Sequence, residues 1–119
     1  MFDFEKLEVY QIVKDQYIKV IDLLRQNETI DKQLHDHLKN AMLFSVLNLV
    51  QSSGRIVNSE KKELIAISRG FIFECSAIID LLKTSGIISG SEYQDLYENF
   101  ERISKMLFGM YKSYNMKVD

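Results

Sequence analysis

The stretch from Ser59 to Ser85 constrains this chain more than any other. Leu64, Phe71, Cys75, Ile78 and Leu82 recur at steps of three, four and seven, with Ile65, Ile72 and Ile79 beside them. That is the pattern of a helix buried along its length. At about 1.5 Å per residue it runs roughly 40 Å, and a helix of this kind is stabilised mainly by what packs against it. Every other apolar stripe in the chain therefore reads as its partner. Proline is absent, and most of the glycines, Gly54, Gly86 and Gly90, stand at junctions between periodic segments. The expectation is an all-α, antiparallel up-down-up-down four-helix bundle, one domain over residues 1–119, with helices near 5–25, 31–53, 59–85 and 90–114.

The flanking segments supply the local detail. The first helix carries Tyr10, Val13, Tyr17, Ile21 and Leu24 on one face, with Lys14, Asp15, Lys19 and Asp22 mostly on the other. The polar run Gln26 to Thr29 breaks it, and Thr29 or Asp31 can cap the second helix. Asn58 or Ser59 is the expected cap of the third. Gly86 can take the left-handed conformation that closes a helix, Ser89 and Glu92 form a capping box, and Ile88 and Tyr93 have the spacing of a hydrophobic staple. Leu96, Phe100, Ile103, Leu107, Met110 and Tyr114 then alternate at bundle spacing, and Asn115 to Asp119 are expected to fray.

Two faces carry more apolar surface than a lone bundle covers. From Ala41 to Val50 the second helix is apolar nearly all round, which makes Leu43, Phe44, Leu47 and Val50 candidates for a subunit interface. On the rear of the third helix, Ala66, Gly70 and Ala77 lie beside Phe73, small side chains that let another helix approach. Both features predict a homo-oligomer. Ser45, Asn48 and Ser52 fall on one line of the second helix, with two readings open: satisfaction of neighbouring backbone, or a polar lining of a site or channel.

Composition limits the chemistry. Fifteen basic residues against seventeen acidic give a formal charge of -2 and a pI near 5.7, so no global field draws the protein to nucleic acid or anionic lipid. Neither a signal-peptide run nor a stretch of roughly 20 apolar residues is present, and the expected location is the cytoplasm, with no membrane partner. The single cysteine, Cys75, sits in the apolar stripe and reads as a core residue. His35 and His37, two apart on a helix, point in different directions and cannot close on one metal ion. Glu74, at the edge of the third helix's stripe, reads as a carboxylate that reaches water or pairs with a lysine. There is no Glu-x-x-His spacing, phosphate-cradling loop or nucleophile elbow. The expectation is a protein that is not an enzyme, with no catalytic or metal residues and no cofactor. Arg55, Lys61, Lys62 and Arg69 cluster around the second connector as candidate nucleic-acid contacts at a helix N-terminus, although Glu60 and Glu63 stand among them. The other reading is a protein-binding or scaffolding bundle that touches no nucleic acid.

From Phe4 to Tyr114 the chain resembles the bacterial four-helix-bundle, ribosomal-protein-like proteins encoded in rRNA intervening sequences. The resemblance is carried by Phe4, Leu7, Val9, Tyr10 and Gln11, by Asn48, by Gly54-Arg55 and Glu60, by Gly70 with Glu74, by Gly86 with Ile88, by Glu92-Tyr93, and by the run Ile103 to Gly109. It departs from that pattern at Leu47, where members typically carry proline, at Gln51-Ser52, where they carry Glu-Gly, and in a less basic connector, Ile56 to Ser59. The resemblance implies a homo-oligomer, a pentameric ring, with RNA or a nucleic-acid-processing protein as partner. A related branch is similar to the accessory proteins of diversity-generating retroelements.

Overall fold

The computed structural model describes residues 1–114. A short 3₁₀ turn, Asp3–Lys6, precedes four helices: α1, Glu8–Gln26; α2, Lys32–Gly54; α3, Asn58–Thr84; and α4, Gly90–Ser113. No strand occurs among the described residues, and none of the described helices is long and apolar enough to cross a membrane.

Cross-helix contacts fix the directions. Between α1 and α4, Glu8 meets Arg102, Gln16 meets Leu96 and Asn27 meets Glu92. Between α2 and α3, His37 meets Glu74, Ser45 meets Ser68 and Ser52 meets Lys61. Between α3 and α4, Lys62 meets Tyr111, Arg69 meets Ser104 and Lys83 meets Tyr93. In each pair one number rises as the other falls, so neighbours are antiparallel. Among the described residues, the backbones of sequential helices and of the closing pair α1 and α4 approach closely, whereas those of the diagonal pairs stay further apart. This is the expected four-helix bundle, 48 × 24 × 22 Å.

The core follows the heptad-like stripes. Leu96, Phe100, Ile103 and Leu107 are buried in α4, as expected from their spacing. In α3 the buried residues are Ile65, Ser68, Ile72, Cys75, Ile78, Ile79 and Leu82; Leu64 and Phe71 lie at the flank. The face of α1 differs from the sequence expectation. Val9, Val13, Gln16, Val20 and Leu23 point inward together with Leu24, while Tyr10, Tyr17 and Ile21 are only half-buried. The tyrosines take the boundary, where a ring can bury its apolar body and keep its hydroxyl wet. Phe100, fully enclosed, is among the most expensive side chains to truncate: Phe100→Ala removes about 3–5 kcal/mol.

Helix ends explain the connections. Asp31 accepts from the N–H groups of Gln33 and Leu34 and caps α2. At the end of α3, Ile87 N–H reaches Leu82 O and Gly86 N–H reaches Lys83 O, with Gly86 at φ 77°. This is a Schellman closure, which needs the left-handed residue. Ser89 Oγ accepts from Glu92 N–H at 3.0 Å and Glu92 returns a bond to Ser89 N–H at 2.9 Å. The start of α3 departs from expectation. Neither Asn58 nor Ser59 is the cap; the helix begins at Asn58, and Val57, at the cap position, offers no side-chain bond.

Candidate nucleic-acid interface

The four candidate cations fall on two separate surfaces. Arg55 and Lys61 line an open hollow of about 810 Å³ where Phe2, Phe4 and Ile56 meet the end of α2. Lys61, in the first turn of α3, turns back so that its Nζ donates to the carbonyls of Ser52 and Ser53 at 3.2 and 3.4 Å. These carbonyls lie in the last turn of α2, where intrahelical donors run out and Ser52 O otherwise receives a long 3.4 Å bond from Arg55 N–H, so the lysine adds to their capping. Arg55 Nη2 donates to Gln51 Oε1 at 3.1 Å. The charges at this connector thus face the negative end of α2 as well as the positive start of α3.

Lys62 and Arg69 instead look out between α3 and α4. Seven residues apart on one helix, they lie two turns, or about 10 Å, from each other. Arg69 Nε donates to Ser104 O at 3.0 Å, which sets the guanidinium plane. Its carbon stands 4.6 Å from the ring centre of Phe73 and 5.0 Å from that of Phe108. Lys112 Nζ lies 4.7 Å over the Phe108 ring and Lys62 Nζ 4.6 Å over that of Tyr111. Each is within cation–π range. Between these groups a hollow of about 240 Å³ is lined by Ala66, Arg69, Gly70, Phe73, Phe108 and Tyr111. A Cβ built on Gly70 meets nothing within 4 Å, so Ala66 and Gly70 floor a recess here. Phe108, Tyr111 and Lys112 were not candidates in the sequence. Phe108 falls just outside the buried stripe of α4 with Lys112 four residues on, a spacing that could have drawn attention to the pair.

The apolar face of α2 is open. Phe44 and Leu47 are 44% and 47% exposed, Leu43 and Val50 half-buried, and the Phe44 ring leans on Phe71 at 5.7 Å. Ala66, Gly70 and Phe73 share the α3/α4 recess, whereas Ala77 lines a different groove with Gln33, Leu34, His37, Glu74 and Ile78. Ser45 and Ser52 donate to the carbonyls of Met42 and Leu49, and Asn48 donates to that of Phe44 at 2.8 Å. All three satisfy local backbone.

Among the described residues the titratable groups form pairs. Glu74 pairs with His37, Oε1 to Nε2 at 2.7 Å, where a lysine or water was expected. His35 leans on Asp36, whose carboxyl is held below its ordinary range chiefly by Lys32 and then by His35. Cys75 is buried, and burial, with the charge of Glu74 adding to it, pushes its thiol up to about 12. Among the described residues no three histidine, cysteine or carboxylate side chains gather into a metal-binding group.

Fold and surface together define a small all-helical bundle protein that displays stacked cations and aromatic rings on one face and an uncovered apolar strip on another. A family model described as 23S rRNA-intervening sequence protein matches residues 5–109, and the chain belongs to that family. No curated protein matches the chain. No solved structure does either.

Proposed function

We propose that this protein is a non-enzymatic, self-associating helical bundle that binds RNA. The observation that carries the reading is the family match over residues 5–109, whose description ties the family to an rRNA intervening sequence. Lys62, Arg69 and Lys112 on the α3/α4 face, with Arg55 at the connector, are the groups able to meet phosphates. The exposed strip of Phe44 and Leu47, flanked by Leu43 and Val50, is the surface for self-association. A ring of five copies, as the family resemblance implies, would repeat each weak cationic patch and let the copies act together. A nucleic-acid-processing protein, such as the reverse transcriptase of a retroelement, is the corresponding protein partner, and the location is the cytoplasm.

The test is RNA binding across a salt titration. Phosphate contacts release counterions, so affinity falls with rising salt, and each contact removed flattens the logarithmic slope by about 0.7 for single strands. Changing Arg55 and Lys62 together to alanine leaves the Lys61 cap of α2 intact and is expected to lower that slope. Undetectable RNA binding at low salt would overturn the reading.

A second reading, a scaffolding bundle that binds only protein, is favoured by one observation: Lys61 and Arg69 are already bonded to the protein's own carbonyls. Binding of RNA with a salt slope that responds to the double variant would count against it.

A further inference from the structure

We propose that the recess between α3 and α4 seats one unpaired nucleobase of single-stranded RNA, which rests on the RNA-binding reading above and adds a ligand class and a place to it. The recess has the parts such a ligand needs. It is lined by three aromatic rings, Phe73, Phe108 and Tyr111, and by the small residues Ala66 and Gly70. Bases stack on aromatic rings and on guanidinium planes. Arg69 braces two of these rings in a fixed pose, its guanidinium against Phe73 and Phe108 and its Nε bonded to Ser104 O. That bond uses one of the five guanidinium donors. The remainder are available to a phosphate of the nucleotide whose base is stacked.

Size and charge narrow the occupant. At about 240 Å³ the recess falls below the roughly 300–1,000 Å³ of sites that enclose a whole drug-sized molecule or cofactor. It suits one flat ring system whose backbone continues along the surface. No carboxylate lines it, one lining residue is a cation, and Lys62 and Lys112 stand at its rim over Tyr111 and Phe108. Three cations around an aromatic recess, in a chain of net charge -2, complement a polyanion that carries flat apolar faces. An apolar helix from a second copy would leave those cations facing hydrocarbon.

The experiment compares three labelled RNAs by fluorescence anisotropy: a short oligoadenylate, an abasic oligomer with the same number of phosphates, and a blunt duplex. Wild-type protein is set beside Phe73→Ala and Phe73→Leu. Phe73 is 54% exposed, and circular dichroism checks that both variants keep their helices. Wild type is expected to bind oligoadenylate about five- to a hundredfold more tightly than the abasic oligomer, and both variants to lose about the same factor. Leucine keeps bulk and loses the π face, so near-wild-type affinity in Phe73→Leu would overturn the proposal. Equal binding of all three RNAs would also overturn it, while leaving the electrostatic RNA reading standing. No RNA binding at low salt would overturn both. If Phe73→Ala lowers the mass seen by light scattering and leaves RNA affinity unchanged, the recess is a contact between copies and the proposal fails.

Discussion

Gln16 of α1 donates its side-chain amide to the carbonyl of Leu96 in α4 at 2.9 Å, with both residues buried. It ties the two ends of the helical sequence together at mid-bundle. The other amide atom, Oε1, is buried with no hydrogen-bond partner. An unsatisfied buried acceptor costs about 1–3 kcal/mol, close to what the single bond returns. Gln16→Met, which keeps the volume, is therefore expected to match or exceed wild-type stability by about 1 kcal/mol. Gln16→Ala, which leaves a cavity, should lose about 2 kcal/mol or more. Chemical denaturation of the two variants distinguishes them, and a large loss in Gln16→Met would show that the bond outweighs the orphaned oxygen.

Cys75 gives a pH dependence of definite sign. Its thiol is raised to about 12 in the folded protein, against about 8.5 in an unfolded chain. The folded state holds the proton more tightly, so this group's contribution is complete below the unfolded value and is lost as pH rises from there towards 12. The slope from one such group is about 1.4 kcal/mol per pH unit. Cys75→Ala should show a shallower alkaline loss of stability than wild type. In the native protein the thiol should also react with a disulfide reagent at neutral pH far more slowly than in denaturant.

Ser89 and Glu92 set the start of α4. Ser89→Ala is expected to cost about 1 kcal/mol. The Glu92 carboxyl is held below the ordinary carboxylate range, first by the Ser89 N–H and then by Asn27. Its stabilisation is present above the unfolded value of about 4.3 and is lost as pH falls through the lower folded value. Glu92→Gln should remove that acid-side loss while keeping part of the cap, which thermal melts between pH 2 and neutrality, a range of about 5 units around that value, would read.

The strip on α2 predicts assembly. Light scattering at micromolar concentration is expected to give a multiple of the chain mass, 13.9 kDa. Phe44→Ser with Leu47→Ser should return a monomer with unchanged helicity, because both side chains are half out of the bundle already. A wild-type monomer would contradict the interface.

How far the sequence could be read depended on the range of the interaction. The Schellman turn at Gly86 and the box at Ser89 and Glu92 involve residues at most five apart, and their geometry was legible from spacing alone. The stripe of α4 was legible too, because Leu96, Phe100, Ile103 and Leu107 are all apolar and all buried. In α1 the inward line contains Gln16, a polar residue whose partner is eighty positions away. That break shifted the apparent face towards Tyr10, Tyr17 and Ile21. The spatial neighbours of the candidate cations were hidden for the same reason. Nothing near Lys61 in sequence says that it will turn back onto Ser52 and Ser53, and nothing near Arg69 announces Ser104, Phe108 or the ring of Tyr111.

The ring of neighbouring helices also bears on how the chain reaches its shape. Each helix docks on the one that follows it through residues 27–31, 55–57 or 85–89, while the closing pair α1 and α4 and the packing of the 3₁₀ turn on α2 bring distant segments together. Loops this short close in well under a microsecond, and predominantly local pairings favour rapid folding. With no proline anywhere, the slow isomerisation that delays many proteins by tens of seconds has nowhere to occur. A nascent chain of this design leaves little time for its bare α2 strip to meet the wrong surface before the bundle has formed.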